Sequence, residues 1–221
     1  MSLLPTALIV FAFALGGLLG GRIVGRFKGV DLRATGSGNI GATNALRTQG
    51  TGFALLVLLI DAGKGVLAVL LLPRLAPEAS AALPFACGAA AVLGHCFSPW
   101  QGFNGGKGVA TLAGVFMALV PTAFVWMLAA FVLIVLLTGV VSLATLFGAL
   151  VALLTITCFS SLGVFSVAGA FVLAMLLLVL VTHRDNWRRR VAGTESRFER
   201  ARVLGRALSL PPIGIDKPSS T

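Results

Sequence analysis

GVATLAGVFMALVPTAFVWMLAAFVLIVLLTGVVSLATLFGALVALLTITCFSSLGVFSVAGAFVLAMLLLVLVT, residues Gly108 to Thr182, runs for seventy-five residues without one charged side chain. A helix rises about 1.5 Å per residue and crosses a hydrocarbon layer of about 30 Å in roughly twenty residues, so this run is long enough for three or four crossings. The rest of the chain agrees. Of 221 residues, 57% are hydrophobic and 11% charged, whereas a soluble domain carries about 25% charged residues. The 27 glycines and 15 phenylalanines suit helices that approach closely in lipid, where small residues rather than a hydrophobic drive bring backbones together.

Working outward, Leu3 to Gly21 is a second uncharged run, nineteen residues long. Its first cation, Arg22, follows the run instead of preceding it, which predicts a retained span and not a signal peptide. Arg22 to Gly52 is a polar loop rich in Gly, Ser, Thr and Asn. Phe53 to Leu72 is the next span, interrupted by Asp61 and Lys64. After the turn Pro73 to Ala79 comes the apolar segment Ser80 to Cys96, then a second glycine-rich loop, Pro99 to Lys107. Pro121-Thr122, Thr138-Gly139 to Ser142, and Ser160-Ser161 divide the long apolar run into four, of which Val109 to Val120 is short for a crossing.

Cytoplasmic ends of spans collect Lys and Arg. The first loop holds five (Arg22, Arg26, Lys28, Arg33, Arg47), the tail after His183 holds nine, and the Pro73 to Ala79 turn holds only Arg74. If the first loop and the tail are both inside, an even number of spans lies between them. The predicted fold is therefore an all-α integral membrane protein of seven transmembrane helices, N-terminus outside (periplasmic) and C-terminus cytoplasmic. One transmembrane domain is expected over residues 1–196, with a basic, flexible cytoplasmic tail over 197–221. Parity also puts Lys107, Ser142 and His183 on the inner side with Gly36 to Arg47.

The net charge of +10 thus describes two places on one side, and no basic face alternates with stacking aromatics, so nucleic acid is not an expected partner. Cys87, Cys96 and Cys158 have neither disulfide nor zinc spacing and read as buried, inert thiols.

Gly36-Ser37-Gly38-Asn39-Ile40-Gly41 matches the letters of a dinucleotide fingerprint, but no buried strand precedes it and Asp61, twenty positions on, lies in a span. What remains is a backbone able to turn N–H groups towards an anion. Ser37, Thr43 and Asn44 add donors, and Arg47 adds a planar fork suited to phosphate. A polar turn between helices is the alternative. Gly102 to Gly108, GFNGGKG, lacks the first Gly and the Ser or Thr of an ATP-binding loop, yet Lys107 after Gly105-Gly106 can place an ammonium on a phosphate; otherwise it is an interfacial Lys reaching water. Asp61 and Lys64 share a helical face and either neutralise one another or serve a function. His95 ends a span. His183 and Asn186, three apart, can face one pocket. No serine elbow and no acidic cluster for a two-metal site is visible.

In order along the chain, FKGVDLRATGSGNIGATNALR (Phe27 to Arg47), DAGKG (Asp61 to Gly65), GHCFSPWQGFNGGKGVAT (Gly94 to Thr111), VSLAT (Val141 to Thr145) and HRDNWRRRVAGTE (His183 to Glu195) resemble the motifs of the PlsY family, the acyl-phosphate-dependent glycerol-3-phosphate acyltransferases. Thr145 stands where the family often has Ser, and Arg190 where it often has Leu. The resemblance implies a monomeric enzyme of the bacterial inner membrane, its site facing the cytoplasm and needing neither metal nor cofactor. It would move a fatty acyl group from acyl phosphate to the 1-hydroxyl of glycerol 3-phosphate, the first acylation of phospholipid synthesis, with membrane lipid around it. Ser37, Arg47, Lys107, His183 and Asn186 would be catalytic. Gly36, Gly38, Asn39, Gly41, Thr43, Asn44, Gly105, Gly106, Ser142 and Thr145 would bind substrate. A transporter of organic phosphate is the rival reading; it would keep its charged groups at the bilayer midplane between internal repeats, and no repeat is visible.

Overall fold

Residues 3–159 and 163–213 are described by the computed structural model. All regular structure among them is helical. The chain divides into two compact units, one through Pro121 and one from Thr122.

The first unit holds α1 (Leu3–Gly16), α2 (Gly20–Lys28), α3 (Ala42–Gln49), α4 (Thr51–Leu70), α5 (Leu83–Cys96) and α6 (Val109–Leu119). Its two closest helix contacts are built alike. Gly16 of α1 meets Gly94 of α5, and a Cβ added to either would stand about 2 Å from a carbonyl of the other helix, 2.0 Å from Ala91 O or 1.9 Å from Phe13 O. Gly65 of α4 meets Gly114 of α6 in the same reciprocal way, at 2.4 Å from Thr111 O and 2.1 Å from Ala62 O. In each case the carbonyl belongs to the residue three before the facing glycine. Any side chain there would force the helices apart, and in lipid no hydrophobic gain would draw them back.

The uncharged run from Leu3 to Gly21 is not one straight helix. It breaks after Gly16, and α1 and α2 meet at a bend of 42°. Breaking a helix in hydrocarbon exposes backbone groups that must find partners, and here they do. Ala14 O accepts from Trp100 Nε1, Gly17 O from Ser98 Oγ, Leu18 O from Lys64 Nζ, and Gly20 N–H donates to Asp61. Below the break, Leu19, Leu32, Ile40, Phe53 and Val57 form a core under the first polar loop.

The second unit holds α7 (Pro121–Thr138), α8 (Val141–Phe159), α9 (Val167–Thr182), α10 (Arg184–Val191) and α11 (Val203–Ala207). Only 6% of the apolar window of α7 is buried, with Val125, Trp126, Leu128 and Leu133 exposed, as expected of a helix solvated by hydrocarbon. Ser160-Ser161, the expected break after α8, lies outside the described residues. Cys158 is exposed, contrary to the buried thiol expected, because it sits near the C-terminal end of α8 on an unpacked face; Cys87 and Cys96 are buried.

Three helices (Thr51–Leu75 with its terminal 3-10 turn, α7 and α8) are each long and apolar enough to cross a membrane, or five if each bent pair, α1 with α2 and α9 with α10, is one span. The chain is thus an all-helical, multi-pass membrane protein. The segment expected as a flexible tail is packed as far as it is described. Phe198 N–H donates to Gly139 O at 2.8 Å, and Gly205 lies on Leu137 O so closely that a Cβ would stand 2.0 Å away.

Candidate active site

In the first unit, the loop before α3 is held by one side chain. Asn44 is 1% exposed. Its amide donates to the carbonyls of Leu32, Thr35 and Asn39, and its Oδ1 accepts from Ser37 N–H at 2.9 Å. Asn44, expected as a substrate contact, is therefore spent on shaping the loop. Gly36 and Gly38 take left-handed φ values of +58° and +73°, which a side chain would strain. Gly38 N–H turns back to Thr35 O at 3.0 Å, so it closes the turn instead of facing an anion. Ser37 is left exposed at the tip, Asn39, Gly41 and Thr43 are half-buried, and Arg47 is half-buried on α3.

The second loop packs on the end of α5. Gly105 and Gly106 N–H groups donate to Cys96 O and His95 O, both at 3.0 Å, and a Cβ on Gly105 would lie 1.9 Å from His95 O. These glycines seat the loop, and Lys107, half-buried, follows them just before α6. The two loops meet. Arg33 Nη2 donates to Asn104 O at 2.5 Å across seventy-one residues, and Gly106 packs towards Ile40. Tertiary structure thus gathers the Ser37 and Lys107 segments at one end of the first unit.

Beneath them lies a charged cluster. Lys64 Nζ reaches Asp61 Oδ1 at 2.9 Å, Leu18 O at 2.7 Å and His95 Nδ1 at 2.9 Å, and Thr111 Oγ1 is 3.2 Å from the same ring nitrogen. All four side chains are buried. Asp61 and Lys64 answer each other and the broken helix, so the geometry favours the structural alternative for this pair.

In the second unit, Ser142 and Asn186 converge on one carboxylate. Glu195, 3% exposed, accepts from Ser142 Oγ and Asn186 Nδ2, both at 2.6 Å, and from Arg189 Nε at 3.0 Å. Burial alone would raise its pKa, but these hydrogen bonds and the Arg189 charge outweigh it and hold the carboxyl below its ordinary value. Thr145 Oγ1 donates to Val141 O in its own helix. His183 Nδ1 is 2.9 Å from Val179 O; a carbonyl only accepts, so Nδ1 carries the proton and Nε2 is the acceptor of the neutral ring.

Sequence reasoning assigned no role to Glu195. Its signal was the acid that closes an arginine-rich motif, a cue that composition hides because the surrounding charge looks like a membrane anchor.

The glycerol-3-phosphate acyltransferase family profile matches residues 6–193. Relatives described as glycerol-3-phosphate acyltransferases include one from Anaeromyxobacter dehalogenans, 40% identical over 199 residues (88% of this chain, 98% of that one). Another, from Myxococcus xanthus, is 41% identical over 197 residues (88% of this chain, 100% of that one). The fold is similar to crystal structures of PlsY, an integral membrane glycerol 3-phosphate acyltransferase. Its glycerol 3-phosphate form aligns with a TM-score of 0.81 at 34% identity, covering 90% of this chain and 98% of that one. Its lysophosphatidic acid form gives 0.80 at 33% identity with the same coverage. On its motifs, its fold and these relatives together, the chain belongs to the glycerol-3-phosphate acyltransferase family.

Proposed function

We propose that this acyltransferase moves a fatty acyl group from acyl phosphate to the 1-hydroxyl of glycerol 3-phosphate, giving lysophosphatidic acid and inorganic phosphate. The observation that carries the anion site is the meeting of the Ser37 and Lys107 loops through Arg33 and Asn104. Ser37, Lys107 and the backbone towards Gly41 hold the phosphate of the acyl donor. By their places in the family's motifs, Arg47, Thr145, His183 and Asn186 position glycerol 3-phosphate. The hydroxyl oxygen attacks the acyl carbonyl carbon, the bond from that carbon to the phosphate oxygen breaks, and the hydroxyl proton passes to His183 Nε2. The Nδ1–H tautomer supports this base over a substrate phosphate. Acyl phosphate is already an activated anhydride, so rate comes from alignment and charge stabilisation, with no acyl-enzyme.

The seven-span arrangement adds α5 and α6 to the five crossings that length allows. The Arg33–Asn104 contact supports counting α5, since α4 and α5 together return Lys107 to the side of the first loop; α6 is then the crossing that brings the basic tail to that same side. With that loop and the basic tail inside, the N-terminus lies in the periplasm and the site faces the cytoplasm from the inner membrane. The working unit is a monomer whose domain runs to about Ser196, with the later residues as an appendage to the second unit.

Purified protein supplied with acyl phosphate and glycerol 3-phosphate should release phosphate in step with new lysolipid, without metal. Lys107→Ala should lower turnover by about a hundredfold or more while the protein still elutes as a folded species. Parent-like turnover in that variant overturns the anion-site assignment.

A further inference from the structure

His95 belongs to none of the assigned groups, yet it lies between two of them. On one side its Nδ1 is 2.9 Å from Lys64 Nζ. An ammonium only donates, so Nδ1 accepts, and Lys64 completes its three bonds with Asp61 Oδ1 and Leu18 O. Asp61 Oδ1 lies 3.5 Å from the same nitrogen, so Lys64 and Asp61 crowd the Nδ1 edge and leave the Nε2 edge to the loop. On the other side, that Nε2 edge lies against Gly106, where an added Cβ would stand 2.4 Å from it. The backbone of His95 holds the same residue again, its carbonyl accepting Gly106 N–H at 3.0 Å. Lys107 is the next residue in the chain. The ring cannot shift to relieve a change at Gly106, because Lys64 is fixed by Asp61 and by the break in the first span, and Thr111 of α6 closes the Nδ1 side at 3.2 Å.

We infer that His95 is a positioning residue. The cluster of Asp61, Lys64, His95 and Thr111 anchors the imidazole, and the imidazole sets where the Gly105–Lys107 loop presents its ammonium. This rests on the assignment of Lys107 to the anion site. His95 itself touches no substrate.

The two faces of the ring can be separated by a double-variant cycle. His95→Asn keeps an acceptor near the Nδ1 position for Lys64 but removes the Nε2 end. It should stay folded and raise KM for acyl phosphate by about tenfold, with a smaller change in kcat. Gly106→Ala in the parent should raise KM by a similar factor, because the new methyl meets the fixed ring. In the His95→Asn background the methyl has room, so the same change should add less than about twofold.

An equal effect of Gly106→Ala in both backgrounds overturns the inference, as does parent-like KM in folded His95→Asn. If His95→Asn does not fold, the cycle is run with His95→Gln; should neither fold, parent-like KM in Gly106→Ala alone overturns it and a raised KM there upholds it. Lys107→Ala assayed alongside keeps the two ideas apart. A dead Lys107→Ala with an additive cycle removes only the role of His95, and an active Lys107→Ala removes the anion site.

Discussion

Asp61 and Glu195 are both buried carboxylates beside a basic side chain, 1% and 3% exposed, and they are kept in different ways. Asp61 lies within a span. Its cation, Lys64, has a side chain only 4% exposed, and both groups are bound to backbone atoms freed by the break between α1 and α2. Glu195 lies beyond the last long span. Two of its donors are neutral, and the third, Arg189, has a side chain 42% exposed. The lesson is that a buried carboxylate is as costly to remove as its partner is unable to reach water. Lys64 has no such escape, whereas Arg189 does.

The sharpest test of that contrast is Asp61→Ala, which strands an ammonium in the membrane interior and should cost about 3–5 kcal/mol. In a detergent melt this variant should be unfolded or nearly so. Asp61→Leu combined with Lys64→Met should recover much of the loss, since a neutral pair leaves no charge behind; failure to recover would mean that the bonds to Gly20 and Leu18, not the charge, dominate.

Glu195→Gln should cost less, about 1–3 kcal/mol. It keeps an acceptor oxygen for Ser142 or Asn186 and lets Arg189 turn to solvent. Turnover should fall more than the melt implies, because Asn186 and Ser142 lose their common anchor. A loss as large as that of Asp61→Ala would erase the distinction between the two sites.

The same residue predicts an acid limb. Glu195 has a folded pKa below its ordinary 4.5, so the unfolded chain binds its proton more readily. Its contribution is fully present above pH 4.5 and is lost as pH falls through the depressed value. Melting temperature followed downward from pH 6 should drop in the parent below that point and drop less in Glu195→Gln. The smallest effect is expected at the exposed pair Asp185–Arg188, 3.4 Å apart, where Arg188→Ala should leave the melt unchanged within error because solvent screens both charges.

Asn44 marks where reading the chain in one dimension stops. Its type, beside Ser37 and the glycines, suggested a ligand donor, and nothing in the residue itself tells a donor aimed outward from one turned back on three carbonyls. Glu195 is the converse case. Its partners Ser142 and Asn186 were chosen from motifs, but the carboxylate joining them stands fifty-three residues from the first, and no local pattern announces such a pair. The break after Gly16 was also hidden, because hydropathy counts apolar residues and is blind to which carbonyl a distant Lys64 or Ser98 will take.

Amino-acid order alone determined that this chain lives in a membrane as helices, since seventy-five uncharged residues leave water no role and hydrocarbon permits only backbone that satisfies itself. It also determined the family, through motifs whose residue types the phosphate chemistry requires. Only the folded molecule decided which polar groups face outward and which hold others in place. Hydrogen bonds are directional and short, and the partners of Asn44, Lys64, His95 and Glu195 are chosen by how loops and helices pack, for Lys64 and His95 among helices that cross at glycines whose missing side chains let one backbone touch another.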